Sequence, residues 1–263
     1  MRTILYHVLG RVCAASASWL VPAAILGVWS AGSASGLIPA GVLASPWQTA
    51  ETAWTLSVDG TLPWTIADSL RRATLGFLIG GGLGVAAGVV SGTWRVGEDI
   101  LDGTLQMLRT IPFVALAPLF IVWFGITEVS KVALVAFASF FPLYLNTHSG
   151  IRDVDGRLIE VGRVTGLQQW GLVREVLVLG ALPSILVGLR YSLVMSIIAL
   201  VVAEQINLTT GIGALLGDAR RFVQTDVMAL CIAIYAILGW TVNRLAEQLA
   251  RWQLAWLNGV RAS

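Results

Sequence analysis

Residues Ala73–Val90 read ATLGFLIGGGLGVAAGVV, eighteen positions without a single charge. At about 1.5 Å of rise per residue, such a run nearly fills the ~30 Å hydrocarbon layer of a bilayer as a helix. Three consecutive glycines inside a soluble helix would be costly, but in lipid they let a neighbouring helix come close. Gly76, Gly80, Gly84, Gly88 and Gly92 also recur at every fourth position, which places all five on one slowly drifting stripe. The stretch therefore predicts a membrane-spanning helix with a tight packing seam.

The rest of the chain agrees with that reading. Its 263 residues are 56% hydrophobic and 12% charged, and its mean hydropathy is +0.79. So few charges cannot cover a soluble domain of this length. Further apolar runs centre on IPFVALAPLFIVWFGI from Ile111, VALVAFASFFPLYL from Val132, SLVMSIIALVVA from Ser192 and VMALCIAIYAILGW from Val227. Another, roughly Val12–Ala31, follows Arg2 and Arg11. Its apolar part exceeds the ~7–15 residues of a secretory signal core, so a retained first span is expected. The expectation is an all-α polytopic membrane protein with six transmembrane helices.

Orientation follows from the cationic residues. Arg2, Arg11, Arg95, Arg152, Arg157, Arg163, Arg174, Arg244, Arg251 and Arg261 fall on one side, against Arg71, Arg72, Lys131, Arg220 and Arg221 on the other. The first side is expected to be cytoplasmic, with both termini there. On the other side, Ser45-Pro46 is a helix start. Trp47, Trp54 and Trp64 would lie near the headgroups, where indole is favoured. Ala214–Val223 is a second helical candidate on that side. The chain is accordingly divided into residues 1–66, a span with an extracytoplasmic interfacial helix, and residues 67–263, a five-span core.

One cytoplasmic segment departs from the oily background. Arg152, Asp153, Asp155, Arg157, Glu160, Arg163, Arg174 and Glu175 all fall between residues 152 and 176. Leu158, Val161, Val164 and Leu167 repeat every third residue, which makes a short amphipathic helix over about 155–167. Asp153 or Asp155 can cap it, and Gly166 can end it. Gly162 in its interior is locally unfavourable, which suggests close approach by a partner protein. Trp170–Val178 reads as a second short helix.

EVGRVTG from Glu160, followed by LPSILVGLRYSL from Leu182, resembles the EAA loop of ABC-importer membrane subunits. Val161 and Gly162 stand where that pattern has two alanines. Beyond it, ILDGTLQMLRTIPFVALAPLFIVWFGI, FPLYLNTHSGIRDVDG, LVVAEQINLTTGIGALL and FVQTDV are similar to permeases of the nitrate, sulfonate and taurine importer branch. The similarity is greatest to its aliphatic-sulfonate members. The resemblance implies a type I ABC importer permease fold, a permease homodimer in a bacterial inner membrane and a cytoplasmic ABC ATPase dimer carrying ATP and Mg. It also implies an extracytoplasmic sulfonate-binding protein. Glu160, Val161, Gly162, Arg163, Gly166 and Leu167 would couple the permease to the ATPase. Nitrate, taurine or another small anion is the alternative cargo.

The residues themselves fit this division of labour. A phosphate-binding loop needs a lysine after a glycine-rich turn. The sole lysine, Lys131, lies in EVSKVAL, so no cofactor or metal is expected on this chain and no catalytic residue is assigned. Net charge is +2 with no basic run, which argues against nucleic acid. An ion-coupled secondary transporter would want acids at the bilayer centre or inverted repeats. Glu204 falls at a span end, where it could bond neighbouring backbone, and no repeat is visible. His7 and His148 look isolated. Gln106, Arg109, Thr110 and Pro112 are the translocation-pathway candidates. Arg109 either guides an anion or snorkels to the interface paired with Asp102 or Glu98. Pro112 and Pro118 remove backbone donors, leaving the carbonyls of Leu108 and Val114 without helical partners.

Overall fold

A computed structural model describes residues 20–206 and 210–253. Two compact units are distinguished, residues 1–63 with 218–233 and residues 64–217 with 234–263. The first contains α1 (Leu20–Ala34) and α2 (Pro46–Val58). Ser45 caps α2 as expected: its hydroxyl accepts the Gln48 N–H, and the Gln48 side chain accepts the Ser45 N–H, a full capping box. Thr52 donates to Asp226 at 2.6 Å and Thr225 to the Ala40 carbonyl at 2.7 Å, so side chains hold this unit across large sequence separations. The predicted first span begins outside the described residues.

The second unit is a helix bundle. Its long elements are α3 (Thr61–Thr93, from Trp64 on), α6 (Glu128–Arg152), α9 (Val178–Ile206) and the part of α11 (Thr225–Gln253) from Ile234 on. Four helices are long and apolar enough to cross a membrane: α3, α6, α11 and the continuous stretch Gln169–Gln205 that contains α9. Lipid supplies little hydrophobic force between helices, so close packing must hold them. The glycine stripe does this. A Cβ on Gly76 would fall 2.6 Å from the Val135 side chain, on Gly88 2.6 Å from Thr147, and on Gly92 3.0 Å from Ile151. Gly80 and Gly84 face the Ala136 and Phe140 carbonyls even more closely. Because both sets of numbers rise together, α3 and α6 run parallel.

α9 returns antiparallel along α6. A Cβ on Gly150 would meet Ser184 at 2.7 Å, one on Gly188 would meet Asn146 at 2.7 Å, and Ser192 donates to the Ser139 carbonyl. Ala73, Val135, Ala138, Ile197, Ala199 and Leu200 form the buried centre of these three helices.

The third apolar run, expected as a kinked span from Ile111, begins at a break, with one helix before it and one after it. α4 (Arg95–Thr110) and α5 (Phe113–Phe124) meet at 101°. Residues before proline are pushed out of the helical region, and Ile111 and Pro112 are both extended, with ψ of 119°. The Leu108 carbonyl still accepts a tighter bond from the Ile111 N–H at 3.2 Å. α5 alone has 12 residues, too few to cross a bilayer. If the bent pair counts as one span, the described chain has up to five.

The segment after α6 also corrects one expectation. α7 (Gly156–Val164) forms, with Asp155 accepting the Arg157 N–H at 2.9 Å. Gly166, at φ +86°, ends it, while the Leu167 N–H reaches the Gly162 carbonyl at 3.0 Å. Trp170–Val178 is no separate short helix. α8 (Gln169–Leu172) continues through a π-helical turn at Val173–Leu177 directly into α9. Val173 and Leu177 bury against Ile151 and Ala181, and this packing holds the wide turn. α10 (Ile212–Arg221) starts two residues earlier than the expected Ala214.

Candidate functional sites along the helix bundle

α7 displays two unlike faces. Leu158, Val161 and Val164 are 52%, 60% and 88% exposed, an apolar stripe left uncovered by the described residues. Glu160, Arg163 and Gly166 are exposed as well, and Leu167 is half-buried. Gly162 is on the other face and is buried. A Cβ there would lie 2.8 Å from the Leu172 Cδ1 and 3.1 Å from the Val176 Cγ2. The glycine is thus required by the protein's own α8 and π turn. Sequence reasoning missed this because it treated the following segment as a separate element. Close fit at Gly162 ties α7 to the start of α9, so the six candidates act as one rigid arm with the outward positions available.

The four pathway candidates gather at the end of α4 and the break after it. Gln106 donates to Asp102 at 2.6 Å, and Thr110 donates to its own Met107 carbonyl at 2.7 Å. Pro112 caps α5. Arg109 is exposed and forms no ion pair with a described residue. Both partners suggested for it are engaged elsewhere: Glu98 with Arg152 at 3.0 Å, Asp102 with Gln106 and, at 3.2 Å, the Tyr144 hydroxyl. Beside α4 lies a groove of about 650 Å³ walled by α3, α4, α5 and α6, with Leu83, Leu105, Leu108, Phe137 and Phe140 along it. Glu128 is the one charged residue lining it among the described residues.

His148 is not isolated. Its Nδ1 is 2.9 Å from the Ser91 hydroxyl, and its ring stacks on Tyr144 with centroids 6.0 Å apart. Tyr144 stacks in turn on Phe140 at 5.8 Å. Hydrogen bonds from Gln106 through Asp102 to Tyr144, a ring stack from Tyr144 to His148 and the His148–Ser91 contact link α4, α6 and α3 near the Arg152 end of α6.

A second cluster occupies the opposite end of α3 and α6. Arg72, Lys131 and Glu204 are essentially inaccessible there. Arg72 Nη1 lies 2.7 Å from the Glu204 carboxylate, and its Nε and Nη2 bind Glu128 at 2.6 and 2.9 Å. Arg72 also donates to the Thr210 carbonyl at 2.9 Å and to the Thr210 hydroxyl. Lys131 adds a 3.2 Å contact to Glu128. Ser69 donates to Glu204 at 2.8 Å and accepts the Ile212 N–H at 2.9 Å. Glu204 accepts the Gly213 N–H at 2.9 Å and the Tyr235 hydroxyl at 3.3 Å. Glu204 does bond backbone, as expected, but its main partners are Arg72 and Ser69. Gly211, at φ +103°, passes so close that any Cβ would strike Glu204 and Arg72. Buried charges persist only when paired and hydrogen-bonded, and here buried Arg72, Lys131 and Glu204 all are, with half-exposed Glu128 serving both cations.

Residues 80–255 match the family of binding-protein-dependent transport system inner membrane components. The chain belongs to this family of ABC-importer permeases. The SsuC permease protein of Escherichia coli (strain K12), named for aliphatic sulfonates transport, is 45% identical over 240 residues, 91% of either chain. SsuC of Bacillus subtilis (strain 168) is 41% identical across 91% of this chain and 87% of its own. The taurine transport system permease protein TauC of E. coli is 32% identical across 89% and 87%. Among solved structures, an amino acid ABC transporter superimposes with a TM-score of 0.62 at 16% identity, covering 76% of this chain and 97% of that one. The MetNI methionine transporter gives 0.60 at 19%, covering 77% and 98%. The architecture is the type I importer permease fold, and the protein is a multi-pass membrane permease.

Proposed function

We propose that this chain is the permease of an ATP-driven importer for aliphatic sulfonates. It works as a homodimer in a bacterial inner membrane, with both termini cytoplasmic. Two cytoplasmic ATPase subunits supply ATP and Mg chemistry, and an extracytoplasmic binding protein delivers the sulfonate. The exposed Leu158–Val161–Val164 stripe carries the assignment of α7 as coupling helix. It is apolar, rigidly backed through Gly162, and at the end of α6 where the cationic loops collect. Glu160, Arg163, Gly166 and Leu167 surround the stripe and complete the contact with the ATPase.

Two relatives named for aliphatic sulfonates, each spanning about nine-tenths of the chain, support the cargo. A sulfonate stays anionic across physiological pH, and exposing that charge to hydrocarbon is prohibitive. Its uptake therefore needs a shielded route and an energy source. Gln106, Arg109, Thr110 and Pro112 are assigned to that route, where Arg109, without an ion pair among the described residues, can meet the anion. Taurine, also a sulfonate, is the second reading, because a taurine permease is 32% identical.

The test is reconstitution of the permease with its ATPase and binding protein in liposomes. Short alkanesulfonates should enter only with ATP, and hydrolysis should rise when the binding protein is loaded. Import of taurine with rejection of alkanesulfonates would select the second reading. Sulfonate movement by the permease alone would overturn the mechanism.

A further inference from the structure

α4 poses a mechanical question. None of its residues is buried, and Leu105 and Leu108 face the open groove instead of a packed core. Something else must fix its direction. At its start, Gly97 lies against Val90, and Trp94 meets Trp170 edge-on with centroids 6.1 Å apart. Beyond that first turn, two side chains reach across to α6. Glu98 Oε2 is 3.0 Å from Arg152 Nη1, and Asp102 Oδ1 accepts the Tyr144 hydroxyl at 3.2 Å. Glu98 and Asp102 are one helical turn apart, so both contacts leave the same face of α4.

The two contacts differ in kind. Tyr144 is 1% exposed and locked between Phe140 and His148. Arg152 is the last residue of α6, directly before the turn into α7. After Asp102, the remaining polar bonds of α4 stay within it, and the helix then reaches Ile111 and Pro112. Both are extended there, and proline supplies no N–H to close a helical bond across the junction. A junction lacking such bonds bends at low cost. A helix driven from one end and jointed at the other turns about the joint.

We propose that Glu98 and Asp102 are positioning residues that latch α4 to α6, so that movement reaching α7 is passed to α4 and turns it about the Ile111–Pro112 break. This rests on the reading of α7 as coupling helix. The latch places Gln106, Arg109 and Thr110 under control of the arm, although none of them touches it. Exposed ion pairs contribute little to global stability, so removing the latch leaves a folded permease.

The test uses the complete importer in proteoliposomes, with Cys13 and Cys231 replaced. Glu98→Lys opposes like charges at Arg152, and Tyr144→Phe removes only the hydroxyl that meets Asp102. The reciprocal swap Glu98→Lys/Arg152→Glu restores the pair. Sulfonate moved per ATP should fall about fivefold or more in Glu98→Lys and recover in the swap, as expected for directly coupled residues. ATP hydrolysis and thermal unfolding should stay near wild type throughout. Spin labels at Met107→Cys and Val122→Cys should report a distance that changes on ATP binding, and the change should vanish in Glu98→Lys. An unchanged distance in the otherwise wild-type importer, or normal coupling in Glu98→Lys, overturns the latch. So does a swap that fails to recover, or a Glu98→Lys that only lowers the unfolding temperature. The distance measurement needs no cargo, so a failure of alkanesulfonate uptake would fall on the proposed substrate alone.

Discussion

Arg72 and Glu204 come from helices 132 positions apart in the chain, yet Nη1 and Oε1 meet at 2.7 Å with both side chains essentially out of solvent. The pair draws in Ser69, Glu128, Thr210 and the Gly213 N–H, so one cluster fastens α3, α6, α9 and the turn before α10. Removing one member of a buried pair leaves its partner uncompensated, at a cost of about 3–5 kcal/mol. Arg72→Met should therefore lower the thermal unfolding temperature of the purified permease more than any other substitution in the cluster. Glu204→Gln keeps groups that can bond Ser69 and should cost less. Unfolding temperatures equal to wild type for both would contradict the assignment of this cluster as a structural clasp.

The glycine seam gives a paired experiment. Gly80→Ala would force a Cβ into the Ala136 carbonyl, whereas Gly82→Ala meets nothing within 4 Å. Overpacking costs about 1–3 kcal/mol. Gly82→Ala should be neutral or slightly stabilising, since alanine is the better helix former. Heat denaturation in detergent, followed by circular dichroism, should separate the two variants. Equal behaviour would mean that α3 and α6 do not approach this closely.

On α7, the two faces should respond differently. Val161→Asp or Val164→Asp puts a charge into an exposed apolar stripe and should abolish ATPase copurification while leaving the permease fold unchanged. Gly162→Ala should instead weaken the arm from within, because the new Cβ collides with Leu172. Leu172→Ala in the same chain should relieve part of that loss. Partial rescue distinguishes the intramolecular contact from direct loss of the ATPase surface.

Topology can be read chemically. Single cysteines at Gly156 and Asp59, in a background without Cys13 and Cys231, should react with impermeant maleimide from opposite faces of the membrane. Reaction of both from one face would reverse the assignment of α7 to the cytoplasm.

Features set by local spacing were legible in the sequence. The four-residue period of Gly76–Gly92 announced a seam, and Gly166 with one of Asp153 or Asp155 announced the ends of α7, the structure choosing Asp155. Ser45 with Pro46 announced α2 in the same way, though not the Gln48 half of its capping box. Features set by meetings between distant residues were not. Arg72 finds Glu204 and Glu128 only after folding, and neither spacing nor motif pairs them. His148 looked solitary because Ser91 and Tyr144 approach it from other turns and another helix. Gly162 was read as an opening for a partner because Leu172 seemed to belong to a detached helix. The π turn at Val173–Leu177 has no proline or glycine to mark it, and only the burial of Val173 and Leu177 accounts for it. Pro112 signalled a disturbance of the third span but not its 101° size.

The absence of room between α3 and α6 also fixes how this permease can move. Helices whose backbones touch along five successive turns cannot slide or splay without losing the whole seam, so the pair behaves as a single stiff beam. From Lys131 to Arg152 the beam measures roughly 30 Å. A tilt imposed at the Arg152 end is then carried whole to the Arg72 end, with no relay of side-chain changes between them.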